Sequence, residues 1–302
     1  MPRILPLIIL ALFFLPACAP KLPPAGVKPP AAEELWSEFR NSTGVGPEMH
    51  SFRIEMSINF SGPKRRNRIL AEVWGNRNYP VRMDLKAGMG RIFSMWREDS
   101  QDWQAFYPGE NTVYTHEDGH RGAEALGFPT PFNLLETSRF LSGDYALLTP
   151  DEYTRTQKKY PGFRYFFPPD NTIRSVTLDQ QGILVRISGR DWTAEIKDYE
   201  REKDMAMRMD MHLPGGKSAI IRIKEAEFRE KYWEDKQLQL RVPPDAETRY
   251  LLDSGEIGSN RLDLKEAFKF GKRKTVSICG LSGDVPRIGA SDLRHSNRGG
   301  RP

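Results

Sequence analysis

Phe52, Ile54, Met56, Ile58 and Phe60 alternate with Arg53, Glu55, Ser57 and Asn59, a period of two that predicts a β-strand with one buried face. Gly62-Pro63 turns the chain, Arg68 to Trp74 runs back, and Asn76 to Pro80 supplies the next turn. Val81-Met83-Leu85 alternates again, Ala87–Gly90 interrupts, and Ile92 to Trp96 resumes. Short strands are expected at Asp102–Tyr107 and Thr112–His116. The period then changes. Phe132, Leu135, Arg139 and Phe140 lie in a helical run that follows Pro129-Thr130-Pro131 and stops at Gly143, with a further helical turn expected near Pro150-Asp151-Glu152. Strands return at Phe163–Phe167, Ile173–Leu178, Ile183–Ile187, Trp192–Tyr199, Met205–Leu213, Ala219–Ala226 and Leu238–Val242. Ahead of all this, Ala31 to Ser42 places Leu35, Trp36 and Phe39 at helical spacing behind Glu33 and Glu34, where the helix dipole favours anions. The pattern is mainly β with a few helices: one repeating antiparallel architecture rather than two separate folds.

One strand has an unusual composition. Met205, Met207, Met209, Met211 and Leu213 occupy alternate positions, with Ala206, Arg208, Asp210 and His212 between them. Methionine is unbranched and polarisable, so a Met-lined face follows ligands of variable shape, such as acyl chains; it also fills irregular gaps in a core. Both readings stay open on the sequence. Beyond Pro243-Pro244 the patterning decays, with one helix expected over Leu262–Phe270, a short strand over Thr275–Cys279, and a disordered end from Asp284 onward.

The N-terminus changes the setting of the fold. Arg3 precedes an apolar run from Ile4 to Phe14, long enough for a signal-peptide core and too short to span a bilayer. The following Leu15-Pro16-Ala17-Cys18 resembles the lipobox of bacterial lipoproteins, whose cysteine receives diacylglycerol before cleavage, although Pro16 stands where a small residue is usual. The resemblance implies that Cys18 is the lipidated first mature residue and, since Ala19 is not an aspartate, that the anchor lies in the outer membrane facing the periplasm. Ala19 to Pro30 reads APKLPPAGVKPP, an extended proline-rich spacer. The expected organisation is a signal peptide over 1–17, a lipidated tether over 18–32, a folded domain over 33–250 and a basic, largely disordered extension over 251–302.

Charge and reactive groups exclude several activities. The formal charge of +5 comes from the tail, where residues 261–302 carry ten Lys and Arg against four Asp and Glu; without it and Arg3 the rest is about −2. No basic field for nucleic acid remains. Only Cys18 and Cys279 are present, so an acylated Cys18 leaves neither a disulfide partner nor a cysteine nucleophile. His116-Glu117-Asp118-Gly119-His120 is the densest set of metal-ligand types, but histidines four apart share a face only on a helix, and a strand running into a solvated turn is expected there. With no Gly-x-Ser-x-Gly and no phosphate-cradling glycine loop, the chain reads as a non-enzyme without metal or other cofactor.

The order of a lipidated cysteine, a Trp36-bearing helix, a meander, central helices and a second meander resembles the LolA/LolB family of lipoprotein carriers and receptors. Shared short pieces are Trp36, Gly75, Leu178-Asp179 with Gly182, and Val242-Pro243, the last within a final strand that ends in LQLRVPP. The likeness is greatest to the outer-membrane receptor branch, LolB, itself lipidated. It implies an incomplete antiparallel β-barrel curled around an apolar cavity, with a helical lid and lipoprotein acyl chains as ligand. The cavity candidates are Phe52, Ile54, Met56, Ile58 and Phe60 on one strand and Met205, Met207, Met209 and Met211 on another. The resemblance further implies a periplasmic LolA-like carrier as partner and places Met89, between Gly88 and Gly90, on a protruding membrane-insertion loop. The extra residues after 250 and the long spacer depart from the family. The alternative is a structural or interaction lipoprotein whose barrel is filled by its own side chains, since Phe163, Phe166, Trp192 and Phe228 supply bulk to fill it.

Overall fold

The computed structural model describes residues 30–42, 46–63, 66–88, 90–128 and 130–252. Within them the alternating segment becomes β1 (Ser51–Ser61), flanked on one side by β2 (Arg66–Asn76) and on the other by β13 (Lys217–Arg229). From β2 a meander continues through β3 (Val81–Ala87), β4 (Arg91–Glu98), β5 (Trp103–Tyr107) and β6 (Thr112–His116). On the other wing lie β7 (Arg155–Lys159), β8 (Gly162–Phe166), β9 (Ser175–Leu178), β10 (Leu184–Ser188), β11 (Thr193–Glu200) and β12 (Met205–Leu213). A last strand, β14 (Glu247–Tyr250), pairs parallel with β6. The described strands form one 14-stranded sheet in the order β14-β6-β5-β4-β3-β2-β1-β13-β12-β11-β10-β9-β8-β7. The sheet is open, because β14 and β7 lie at opposite edges rather than pairing. The fold is thus mainly β, a curled open antiparallel sheet with few helices, as the periodicity implies.

Helix α1 (Ala32–Asn41) starts where Glu34 Oε2 accepts from the Ala31 N–H at 3.0 Å. It buries Leu35, Trp36 and Phe39, and the Tyr165 hydroxyl donates to the Ala32 carbonyl at 2.6 Å, tying the helix to β8. Helix α3 (Leu134–Ser142) has the stronger start: Asn133 accepts from the Glu136 N–H while Glu136 accepts from the Asn133 N–H. It ends at Gly143 with φ 85°, where a Cβ would meet the Asp204 carbonyl oxygen at 2.6 Å. Between them α2 (Gly119–Ala125) is capped by Asp118, whose side chain accepts from the Arg121 N–H. No described helix is long and apolar enough to cross a membrane.

Four local expectations change. Leu238–Val242 is not a strand: α4 (Asp235–Leu238) and irregular chain replace it, because this segment covers the outer face of the sheet instead of extending it. There Leu240 and Ala246 pack on Met95, Phe106 and Val113, and Arg82 donates to the Gln239 carbonyl at 2.6 Å. The helical turn near residues 150–152 is a bend, and a 3-10 turn at Tyr145–Leu148 precedes it; Arg40 binds the Ala146 and Thr149 carbonyls and the Asp151 carboxylate there. Residues after His116 do not stay a turn but enter α2 at Gly119. The exposed strands β7 and β14 carry no apolar alternation, and periodicity missed both. Leu262–Phe270 and Thr275–Cys279 lie outside the described residues, as does the end from Asp284.

Candidate acyl-binding interior

Register turns the sequence periodicity into rows across the sheet. Ile54 pairs with Val73, Val73 with Met83, Met83 with Trp96, Trp96 with Ala105 and Ala105 with Tyr114. All of these point inward and belong to one core cluster. From the other wing, Met209 pairs with Ile221, which pairs with Ile58, and Met211 pairs with Ala219, which pairs with Phe60. The two sets of candidates, far apart in sequence, are therefore separated by only one strand, β13.

Their burial differs along the strands. Phe52, Ile54, Met56, Met205, Met209 and Met211 are buried, with Ile54, Met205 and Met209 at 0% exposure. Ile58, Phe60 and Met207 are half-buried against the same cluster. A residue with no accessible surface borders no water-sized space, so the interior is packed solid around Ile54, Met205 and Met209. Free access increases toward the end of β1 that carries Ile58 and Phe60.

Aromatic residues complete the interior, and the strand pattern alone does not assemble them. Phe128 meets Trp96 at 4.7 Å between ring centroids and Trp96 meets Trp103 at 5.1 Å. Phe132 meets Trp192 at 5.1 Å and Phe140 at 5.4 Å, so the segment before α3 bridges both wings. Trp192 thus lies in the interior, whereas Phe166 lies on the outer face beneath Arg155 and Arg164. Phe163 and Phe228 are half-buried against the core.

A buried carboxylate stands among these residues. Glu98, 4% exposed, accepts from the Leu134 N–H at 2.6 Å and from the Tyr79 hydroxyl at 3.2 Å. Burial pushes its carboxyl up to about 7, opposed by the Leu134 amide, the Tyr79 hydroxyl and the Leu135 amide, while Glu136 adds to the rise. It pins the start of α3 to β4. Near the other end of α3, Phe52, Arg77, Ser138, Arg139, Ser142, Asp144 and Phe228 line a cleft with about 10 Å³ of free space. That accommodates about one water and falls far below the roughly 300–1,000 Å³ of an ordinary ligand pocket. Among the described residues no three His, Cys, Asp or Glu side chains come together to hold a metal ion, and His116 Nδ1 accepts from the Asp118 N–H at 2.8 Å. Cys18 and Met89 lie outside the described residues.

No known family profile and no curated protein matches the chain. Among solved structures it is similar to a LolA-superfamily protein from Nitrosomonas europaea, at 14% identity and TM-score 0.48, over 70% of this chain and 98% of that one. A domain described as a candidate outer membrane lipoprotein-sorting protein from Vibrio parahaemolyticus gives 13% identity and TM-score 0.44, over 67% and 94%. The Mycobacterium tuberculosis lipoprotein LppX gives 11% identity and TM-score 0.29, over 64% and 95%. The functional reading therefore rests on the geometry of the chain itself.

Proposed function

We propose that this protein is an outer-membrane lipoprotein, anchored through Cys18, that binds acyl chains against its curled sheet and accepts or inserts lipoproteins there. The observation that carries the reading is the convergence of half-buried Ile58 and Phe60 with buried Met209 and Met211 on one apolar surface. Acyl chains match such a surface because methionine side chains and unbranched hydrocarbon adapt to each other without fixed shape. Opening further requires α3 and the Phe128–Phe132 aromatic bridge to move. The donor is a periplasmic LolA-like carrier, and the protein binds and transfers without catalysing a covalent step.

Complete burial of Ile54, Met205 and Met209 favours a second reading, a filled barrel serving a structural or interaction role in the envelope. A fluorescent fatty-acid titration separates the two. Every described strand and every core residue lies between residues 32 and 252, so a chain spanning residues 19–302 retains the whole core. Saturable binding that Met207→Asp weakens without unfolding supports the acyl carrier. Absence of binding at all probe concentrations supports the filled barrel.

A further inference from the structure

Three neighbouring hairpins, β1–β2, β3–β4 and β12–β13, turn at the same end of the sheet: Ser61 pairs with Arg66, Ala87 with Arg91 and Leu213 with Lys217. The strands approaching these turns contain no acid for long stretches. Ser57–Ala71, Leu85–Arg97 and Met211–Lys224 include not one Asp or Glu. Glu55, Glu72, Asp84, Glu98, Glu225 and Glu227 all lie toward the other end of the same strands. Asp210 is the nearest acid on β12, and Arg208 and Lys197 already neutralise it at 2.8 and 3.2 Å. Arg66, Arg68, Arg91 and Lys217 are exposed, and among the described residues no carboxylate pairs with any of them.

From this acid-free strip, bounded at the same sheet end by Glu110 in the β5–β6 turn and Asp191 in the β10–β11 turn, we infer that the three hairpins form a docking surface for an anionic lipid bilayer, whose phosphate headgroups meet Arg66, Arg68, Arg91 and Lys217. Geometry selects a surface over a peptide. The cations are spread from β13 to β4, four strand spacings or roughly 19 Å, and do not converge on a pocket. Strands β13, β1, β2 and β3 are paired on both sides, leaving no edge for an added peptide strand. Gly88, Gly90, Gly215 and Gly216 have positive φ and open space where a Cβ would stand, so bare backbone can approach headgroups closely. Half-buried Ile58, Phe60 and Phe93 lie at this same end, which brings the accessible part of the interior against the bilayer. This deepens the membrane-transfer reading, yet its test needs neither lipidation nor cargo.

The experiment is co-sedimentation of residues 19–302 with vesicles of phosphatidylglycerol and phosphatidylcholine, and with phosphatidylcholine alone. Arg66→Glu, Arg91→Glu and Lys217→Glu together should lower affinity for the anionic vesicles on the order of a hundredfold or more, at about fivefold for each cation lost. Arg155→Glu, Lys158→Glu and Lys159→Glu on exposed strand β7 change net charge equally and should leave binding largely intact. The control also holds constant any contribution from the basic residues 261–302. Circular dichroism confirms folding, and the corresponding glutamine triple replaces the first if it fails to fold. Equal loss in the two triples, or undiminished binding by the first, overturns the proposal. Binding to soluble polyglutamate without binding to vesicles overturns it in favour of an acidic protein partner. A failed fatty-acid titration beside successful vesicle binding removes the cargo and leaves the docking surface.

Discussion

Glu98 Oε2 accepts the Leu134 backbone N–H at 2.6 Å, joining the last residue of β4 directly to the first residue of α3. A carboxylate there satisfies an amide that a helix start leaves unpaired and complements the helix dipole. It is also buried, and burial favours its neutral form. The contact therefore depends on pH.

The folded carboxyl titrates near 7 against an ordinary value of 4.5, so the folded state holds the proton more tightly than the unfolded chain. Stability from this group is complete below about 4.5 and declines as pH rises through 7, by about 3 kcal/mol in total. Glu98→Gln keeps an acceptor for Leu134 and removes the titration. Urea unfolding from pH 4 to 8 should show the difference between wild type and Glu98→Gln changing in favour of the variant as pH rises. A difference independent of pH would mean that Glu98 does not titrate in this window.

Gly143 closes α3 with φ 85° and has the Asp204 carbonyl oxygen 2.6 Å from where a Cβ would lie. Gly143→Ala should cost roughly 1–3 kcal/mol, from the left-handed backbone and the displaced β12 approach. Denaturant midpoints measure it; a change under a few tenths would show that the turn relaxes freely.

Met209 is fully buried and Met207 half-buried on the same strand. Met209→Ala should destabilise by about 2–5 kcal/mol, and Met207→Ala by clearly less, because a cavity costs most where the surroundings cannot collapse. Equal costs in urea unfolding would contradict the difference in packing between these two positions.

Residues 239–252 cover Met95, Phe106 and Val113 and supply both the Gln239 carbonyl to Arg82 and the strand β14. Removing 284–302, which offers little apolar surface, should leave the melting temperature unchanged; cutting back to residue 238 should lower it by several degrees, about 1 kcal/mol for each 2–4 °C. Thermal melts of the two truncations decide.

Met89 is tested by transfer of a labelled lipoprotein to liposomes. If it enters hydrocarbon, Met89→Leu should transfer as wild type while Met89→Glu folds normally and fails, since a carboxylate costs several kcal/mol there. Equal transfer by all three removes the loop from delivery.

Periodicity by itself determined the two meanders, α1 and α3, because an inward side chain every second or every third to fourth residue is a local property of the chain. Phe52 to Phe60 and Met205 to Leu213 are legible for that reason, as is the glycine stop at 143. The lipobox-like segment ending at Cys18 is also a purely sequential signal. Tertiary structure alone decided what those faces meet. Pairing of both β1 and β12 with β13 brings Ile58 and Met209 together across more than a hundred intervening residues, and no local pattern encodes that partner choice. It likewise decided that Leu238 to Val242 covers the sheet instead of extending it, since an apolar segment reads the same on either side of its contact. The acid-free strip across the three central hairpins also emerges only when antiparallel pairing reverses alternate strands, placing distant acid-free stretches side by side.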